Sequence, residues 1–320
     1  MTRSASLLIL AALPAQDATA QQSAAYVPTD SAIAAAAAAV VQNADRCVAV
    51  WPGYWHAGKP FGLTRREDRS VFVHLAAPHP DFTPVPQSQL PDVLRGAFYV
   101  RRAPAGEFRP TDIFYRIGEV RVPVLRPYSP TLRHNVELVY HEAFHAHQDE
   151  RFAPLPGGRA AFGSASAAVA LAVPPAEFEA LARAERQVLA AALSASSPDS
   201  LRSLLRSYLQ LRARRTAMAP DAQPFEQWEE RIEGTAEFVG ASCAALATDG
   251  DREQARGRLR AALAKDAPAL AGGRPSKWRA YAVGAALSML LDDLRVPDWR
   301  AAVESGAALD DLLAHAVSGR

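Results

Sequence analysis

The chain has 320 residues, of which 49% are hydrophobic and 22% are charged, a composition typical of globular proteins. Its 35 Lys and Arg residues against 34 Asp and Glu residues give a net charge of +1. Nucleic acids and anionic membranes select a basic excess, so this balance argues against either as the main partner. The length is compatible with two average domains or with one large domain.

Residues 1–20 carry the pattern of a secretory signal peptide: a positive residue, a short apolar core and small residues before the cleavage point. Arg3 supplies the charge, Leu7–Ala12 form the core, and cleavage is expected near Ala20. The apolar run is far too short to span a bilayer. We therefore expect a secreted or periplasmic protein with no membrane span.

The mature chain contains two cysteines, Cys47 and Cys243. In an oxidising compartment they can form one disulfide bridge. Two buried free thiols fit the sequence equally well, because the spacing of the cysteines does not place their Cα atoms within bonding reach. Neither cysteine belongs to a Cys-x-x-Cys pair, which disfavours redox catalysis and thiolate zinc sites.

Residues 21–130 predict an N-terminal helix followed by a small β-sheet. An alanine-rich helix is expected over 31–45, after the cap-like Asp30. Short apolar runs separated by proline and glycine then predict strands, and Phe61-Gly62-Leu63 is expected to be a turn. The predicted strands are Cys47–Trp51, Val71–His74, Phe98–Arg102, Ile113–Ile117 and Val120–Leu125.

Residues 131–320 predict a helical part. The first helix is expected over 131–150, which contains no glycine or proline, and the Gly/Pro/Ala/Ser-rich stretch 153–175 predicts a loop. Further helices are expected over 176–194, from Ser197-Pro198 onward, and over 225–247, 251–266, 277–294 and 307–316. The predicted fold class is α+β, with a small N-terminal mixed sheet packed on a predominantly helical part in one composite domain.

The helix predicted over 131–150 contains a His-Glu-x-x-His pattern formed by His141, Glu142 and His145. Residues four apart differ by about 40° around a helix, so the two imidazoles can reach one metal ion. Glu142 points in another direction and can take a proton from a metal-activated water. A chain of this composition matches the pattern by chance roughly once in a hundred chains. The alternative, two surface histidines, is disfavoured by the helical context in an exported protein.

A catalytic zinc site needs a third protein ligand. His147 lies about 200° around the helix from His145 and is expected to face away from the metal. Gln148 and Arg151 stand where metzincins have glycine and histidine, which excludes that family. No acidic residue lies between Glu150 and Glu177, so a thermolysin-like glutamate is absent as well.

The remaining candidates lie in the predicted helix 225–247. On a regular helix its acidic residues fall within a stripe of about 60°. Such a stripe is costly on a buried helix unless cations or hydrogen-bond donors meet it. Gly234 would allow this helix to approach the His-Glu-x-x-His helix closely. The acidic residues of the stripe are Glu226, Glu230, Glu233 and Glu237.

The His-Glu-x-x-His pattern with Gln148, followed by Glu233-Gly234-Thr235-Ala236-Glu237-Phe238, resembles the gluzincin metallopeptidases of the peptidase MA type. The resemblance implies a zincin-like fold, Zn²⁺ bound by His141, His145 and Glu233, and Glu142 as general base and acid. It covers mainly 131–150 and 226–242. The 87 residues between His145 and Glu233 imply a helical insertion over about 153–224.

Three further residues are candidates for supporting roles. Tyr281 can donate to a developing oxyanion, although a core or interface tyrosine is the simpler interpretation. Glu237 can orient a ligand histidine from the second coordination sphere, or it can form a salt bridge to an arginine such as Arg231 or Arg215. Glu230 is the fallback third ligand.

The sequence thus leads to the hypothesis of an exported zinc metallopeptidase that acts on a peptide or protein substrate. In this hypothesis, an edge strand of the sheet holds an extended peptide. Two alternatives remain open. The chain can be a catalytically inactive metal-binding module on the same fold, or it can hydrolyse a non-peptide amide, such as one in the cell wall.

Overall fold

The computed structural model describes residues 26–56, 58–105, 107, 113–154, 175–265, 270–271, 274–275 and 277–318. The expected signal peptide 1–20 and residues 155–174 of the expected loop lie outside this set. The architecture is an α+β mix with a six-stranded mixed sheet and a helical C-terminal part, which confirms the predicted fold class. None of the described helices is long and apolar enough to cross a membrane.

The chain divides into two compact units. The first unit is Met1–Ala146 together with Cys243–Gly250, and the second is His147–Ser242 together with Asp251–Arg320.

The sheet belongs to the first unit and has the strand order β3-β4-β2-β1-β6-β5. Strands β1 and β6 are parallel, and all other neighbouring pairs are antiparallel. Alternate residues of the strands, including Val71, Val73 and Val122, form a buried apolar cluster on one face. The strands are β1 (Phe61–Arg65), β2 (Ser70–His74), β3 (Thr83–Pro84), β4 (Phe98–Arg102), β5 (Phe114–Ile117) and β6 (Val120–Leu125).

Two strand predictions are wrong. The expected turn Phe61-Gly62-Leu63 is part of β1 in the middle of the sheet. Gly62 serves close packing there, because a Cβ on it would lie 3.0 Å from a methyl group of Val124 and 3.1 Å from the Phe72 carbonyl oxygen. The expected strand Cys47–Trp51 is instead the end of a short helix and the turn that follows it.

The first unit also contains α1 (Asp30–Gln42), α2 (Ala44–Val48) and most of α3 (Leu132–Arg151). The N-cap of α1 is Thr29 and not Asp30: the Thr29 hydroxyl accepts a hydrogen bond from the backbone N–H of Ala32. A disulfide joins Cys47 of α2 to Cys243, with the two Cα atoms 4.9 Å apart. The bridged alternative is therefore the one that the protein adopts.

Helices make up nearly all of the second unit that the structure describes. The helix expected over 225–247 is interrupted by a π-helical segment, Glu230–Gly234, which we call the π turn. The short helix at Trp299–Glu304 has no counterpart in the prediction. The helices are α4 (Pro175–Ala192), α5 (Pro198–Met218), α6 (Gln223–Glu229), α7 (Thr235–Thr248), α8 (Arg252–Ala264), α9 (Lys277–Asp293), α10 (Trp299–Glu304) and α11 (Leu309–Ser318). Helix α7 begins in the second unit, and its residues from Cys243 onward belong to the first unit.

Candidate metal centre

Helix α3 carries the His-Glu-x-x-His pattern, and its bounds, Leu132–Arg151, confirm the helix predicted over 131–150. The side chains of His141 and His145 are one turn apart, with ring centroids 5.0 Å from each other. Both residues are buried, at 7% and 2% relative exposure. A buried pair of imidazoles on one helical face is an arrangement that can present two nitrogen ligands to one ion.

An aromatic cluster in the first unit holds the segment of α3 that precedes His141. The hydroxyl of Tyr140 donates to the Val40 carbonyl of α1 at 2.9 Å, and the hydroxyl of Tyr54 donates to the Tyr140 carbonyl at 2.6 Å. Burial raises the pKa values of both the Tyr140 and Tyr54 phenols above their usual range, so both remain protonated donors. These bonds fix α3 along its length and about its axis next to the first imidazole.

The third candidate ligand, Glu233, lies on the π turn. This segment widens the helix to i→i+5 hydrogen bonding and changes the direction of the side chains that follow relative to a regular helix. The four acidic residues of the expected stripe consequently reach different partners. Glu226 and Glu230 meet arginines, and Glu237 meets another arginine. Glu233 joins the two histidines.

The ligand atoms of His141, His145 and Glu233 all lie within 4.8 Å of one another, and all three residues are buried. Among the residues that the structure describes, this is the one group of three His, Cys, Asp or Glu side chains that could hold a metal ion. Two imidazole nitrogens and one carboxylate oxygen form a donor set that suits zinc and related divalent ions. The residues present therefore fit a metal ion, as the spacing and the resemblance predict.

Glu142 is adjacent to these ligands but is not a member of the group. It is buried at 4% exposure, and its Oε2 lies 4.0 Å from Nε2 of His145. The Glu142 carboxylate thus lies beside the imidazole of His145, one of the candidate ligands, at a distance longer than a hydrogen bond. A carboxylate in this position is a candidate proton carrier.

Glu230, the fallback ligand, is used elsewhere. Its two oxygens accept bonds from both terminal nitrogens of Arg212 at 2.8 Å. Burial raises the pKa of the Glu230 carboxyl to about 7, and the attraction of Arg212 offsets only part of this effect. The pair belongs to a buried network of arginines and carboxylates, which we call the charge network. Its members are Glu185, Arg212, Arg215, Glu226, Glu230, Arg279 and Asp310.

The charge network was not anticipated from the sequence, although a signal for it exists. The buried face of α5 consists of Leu205, Tyr208, Arg212 and Arg215, a helical spacing that continues from apolar residues into arginines. Arginines on the buried face of a helix need carboxylate partners, because an unpaired buried charge is strongly destabilising. The acidic stripe of the next helix supplies two of them.

Glu237 and Tyr281, two of the candidates for supporting roles, contact an arginine and a tryptophan, respectively. Glu237 is 2.7 Å from an Arg258 nitrogen, which is a salt bridge to an arginine other than the two expected. Tyr281 is half-buried on α9, and its ring centroid lies 5.5 Å from that of Trp278. The roles of Glu237 as a second-sphere residue and of Tyr281 as an oxyanion donor stay predictions.

Gly234 allows a close helix approach, but to a different partner from the one expected. A Cβ on Gly234 would lie 2.5 Å from Cα of Gly284 and 3.0 Å from the Ala280 carbonyl oxygen. The π turn therefore packs directly on the backbone of α9. Tyr281 lies within one turn of this crossing.

His147 is confirmed as lying outside the metal group. It is buried, its Nε2 lies 3.2 Å from Oε1 of Glu304, and its ring packs edge-on to Phe152. The contacts with Glu304 and Phe152 are typical of a packing histidine.

A scan against protein-family models and searches of curated proteins and of solved structures found no match.

Proposed function

We propose that the chain is an exported zinc-dependent metallopeptidase. The observation that carries the proposal is the buried convergence of His141, His145 and Glu233, with Glu142 beside one of the imidazoles. The resemblance of these segments to gluzincins supports the same reaction class. The disulfide between Cys47 and Cys243 supports export, because disulfides persist in oxidising compartments.

The chemistry divides between the ion and the chain's own residues. A bound zinc ion would polarise the scissile carbonyl and lower the pKa of a water molecule. The Glu142 carboxylate takes one proton from the attacking water as the new C–O bond forms. It then gives this proton to the amine nitrogen as the C–N bond breaks, so the carboxylate is regenerated. Tyr281 is the proposed donor to the oxyanion.

The burial of the site favours the proposed reaction, because it strengthens the electrostatic interactions on which the reaction depends. His141, Glu142, His145 and Glu233 are each at most 8% exposed. Electrostatic interactions inside a site that excludes water are stronger than those in water. Histidine binds a metal ion through its neutral imidazole, so the Glu233 carboxylate would supply the one negative charge of the ligand set.

The test combines metal analysis with hydrolysis of an unstructured protein such as casein. Glu142→Gln is expected to retain zinc and to lower turnover by about 10²–10⁴-fold, because the proton carrier is lost. His145→Ala and Glu233→Ala are expected to lose the zinc itself. His147→Gln is the matched control: it changes a buried histidine of the same helix and should keep both metal and activity.

Three outcomes would redirect the proposal. Bound zinc without cleavage of any amide would favour the metal-binding module. Cleavage of a cell-wall amide but not of casein would favour the non-peptide hydrolase. Full metal stoichiometry in Glu233→Ala would show that the third-ligand assignment is wrong.

A further inference from the structure

We infer that Gln148 is a positioning residue that holds Glu233 in place for the metal. This inference rests on the proposed metal centre and concerns a side chain that takes no part in the chemistry. Gln148 lies three residues after His145 on α3 and is buried, at 4% exposure.

The side-chain amide of Gln148 donates to the π turn at Ile232 and to the first residue of α7, Thr235. Its Nε2 donates to the Ile232 carbonyl at 2.7 Å and to the Thr235 hydroxyl at 2.9 Å. The Thr235 hydroxyl in turn donates to the Arg231 carbonyl at 2.6 Å. The Ile232 carbonyl belongs to the peptide group that joins Ile232 to Glu233. The amide thus fixes the peptide plane from which the Glu233 side chain extends.

The chemistry of the amide matches this task. A primary amide presents two N–H donors in one plane, and here both donors have acceptors on the same short segment. The π turn is a rare conformation that is retained where tertiary contacts support it, frequently at functional sites. A buried amide that meets a backbone carbonyl and a hydroxyl supplies such support.

Gln148 lies on the same helix as the two candidate ligand histidines, so its hydrogen bonds to the other segment bear on the geometry of the metal site. One rigid helix carries both imidazoles and this amide, with Gln148 one turn after His145. The amide therefore sets the position of the Glu233 peptide group relative to the helix that bears the other two ligands. Residues that orient metal ligands typically contribute about 10–100-fold to metal affinity.

The experiment compares full-length wild-type protein with Gln148→Met and Gln148→Glu. Methionine keeps the length of the side chain without a donor, and glutamate keeps its shape but offers only acceptors to the Ile232 carbonyl. Asn135→Leu is the matched control, because Asn135 is a buried amide of the same helix that donates to the Ser129 carbonyl at 2.9 Å. The readouts are the Zn²⁺ dissociation constant from chelator competition, the visible spectrum of the Co²⁺ form, and the melting temperature of the metal-free protein.

Both Gln148 variants are expected to bind Zn²⁺ about 10–100-fold more weakly and to change the Co²⁺ spectrum. Asn135→Leu should lower the melting temperature and leave the metal readouts unchanged, which separates positioning from general stability. Wild-type affinity and spectrum in either folded Gln148 variant would overturn the inference. The proposed function would then still stand, provided that Glu233→Ala loses the metal. If the wild-type protein binds neither Zn²⁺ nor Co²⁺, both proposals fail.

Discussion

Gly234 and Gly284 touch backbone to backbone where the π turn crosses α9. A Cβ on Gly284 would overlap the Glu230 carbonyl oxygen and come within 2.8 Å of Cα of Gly234. These neighbours are backbone atoms and not the ends of flexible side chains, so they cannot move aside without a shift of the main chain. The segment that carries Glu233 is therefore located by a contact that only glycine permits.

Replacing Gly284 with alanine should lower the free energy of unfolding by about 1–3 kcal/mol or more, because the added methyl group overpacks a rigid contact. Gly257→Ala on α8 is the opposite control. A Cβ at Gly257 meets nothing within 4 Å, and alanine in a helix interior is favoured over glycine by roughly 0.5–1 kcal/mol. Urea denaturation of the two variants should give shifts of opposite sign. Equal shifts would contradict the close contact.

The sequence predicts some site residues far better than others. His141, Glu142 and His145 follow from spacing along one helix, because their relation is local. The role of Gln148 depends on acceptors more than 80 residues away, at Ile232 and Thr235, and no local pattern encodes that contact. Only the resemblance to gluzincins favours Glu233 over Glu230, because on a regular helix both residues lie in the same stripe.

The π turn explains why helix periodicity misled in the region 225–247. The residues on either side of the segment, Glu229 and Thr235, have ordinary helical torsions, and the sequence of the segment contains no proline to mark a break. Glu230 and Glu233 differ in their tertiary contacts. Arg212 binds the Glu230 carboxylate, whereas Gln148 donates to the carbonyl of the peptide group that precedes Glu233. The π turn changes the directions in which the following side chains point around the helix axis, and the hydrophobic pattern of the sequence does not reveal this change.

The charge network should make the stability of the folded protein depend on pH through Glu230. Burial raises the pKa of this carboxyl from 4.5 to about 7, so the folded state binds the proton more tightly than the unfolded chain does. The contribution of Glu230 is therefore most favourable below about pH 4.5 and is lost as the pH rises through 7. The shift corresponds to about 3 kcal/mol across this window.

Glu230→Gln should remove this dependence, because an amide does not titrate. The free energy of unfolding of the variant minus that of wild type should rise by up to about 3 kcal/mol between pH 4.5 and 8. Taking the difference cancels the other titrating groups. Glu177→Gln, an exposed change on α4, controls for the loss of one charge. A difference that stays flat over this range would show that Arg212 fully compensates the burial of Glu230.

The strands illustrate a second limit of local patterns. Short apolar runs between proline and glycine residues predict strands at Val71–His74 and Phe98–Arg102, and the structure has β2 and β4 there. The sequence pattern predicts a turn at Gly62, whereas this residue occupies a crowded position in β1 that no larger side chain fits without displacing its neighbours. Glycine has both uses, and only the neighbouring strands decide between them.

Across the whole chain, the longest-range constraint is the bond between Cys47 and Cys243. It joins α2 to α7 within the first unit, and the cysteines are separated by 196 positions. The second unit's segment His147–Ser242 lies inside the loop that the disulfide closes. In the chain-entropy model, closing a loop of this length lowers the entropy of the unfolded chain by the equivalent of about 5 kcal/mol at 25 °C.

Replacing both cysteines with alanine should therefore lower the free energy of unfolding by about 2–5 kcal/mol. Both cysteines are 1% exposed, so the substitution also removes two buried sulfur atoms, and the reduced wild-type protein separates the two effects. Denaturation of the wild type with and without dithiothreitol isolates the cross-link. The double variant should not respond to the reductant. A wild type that is equally stable in both redox states would show that the unfolded chain gains little freedom when the bond opens, and the entropic argument would fail.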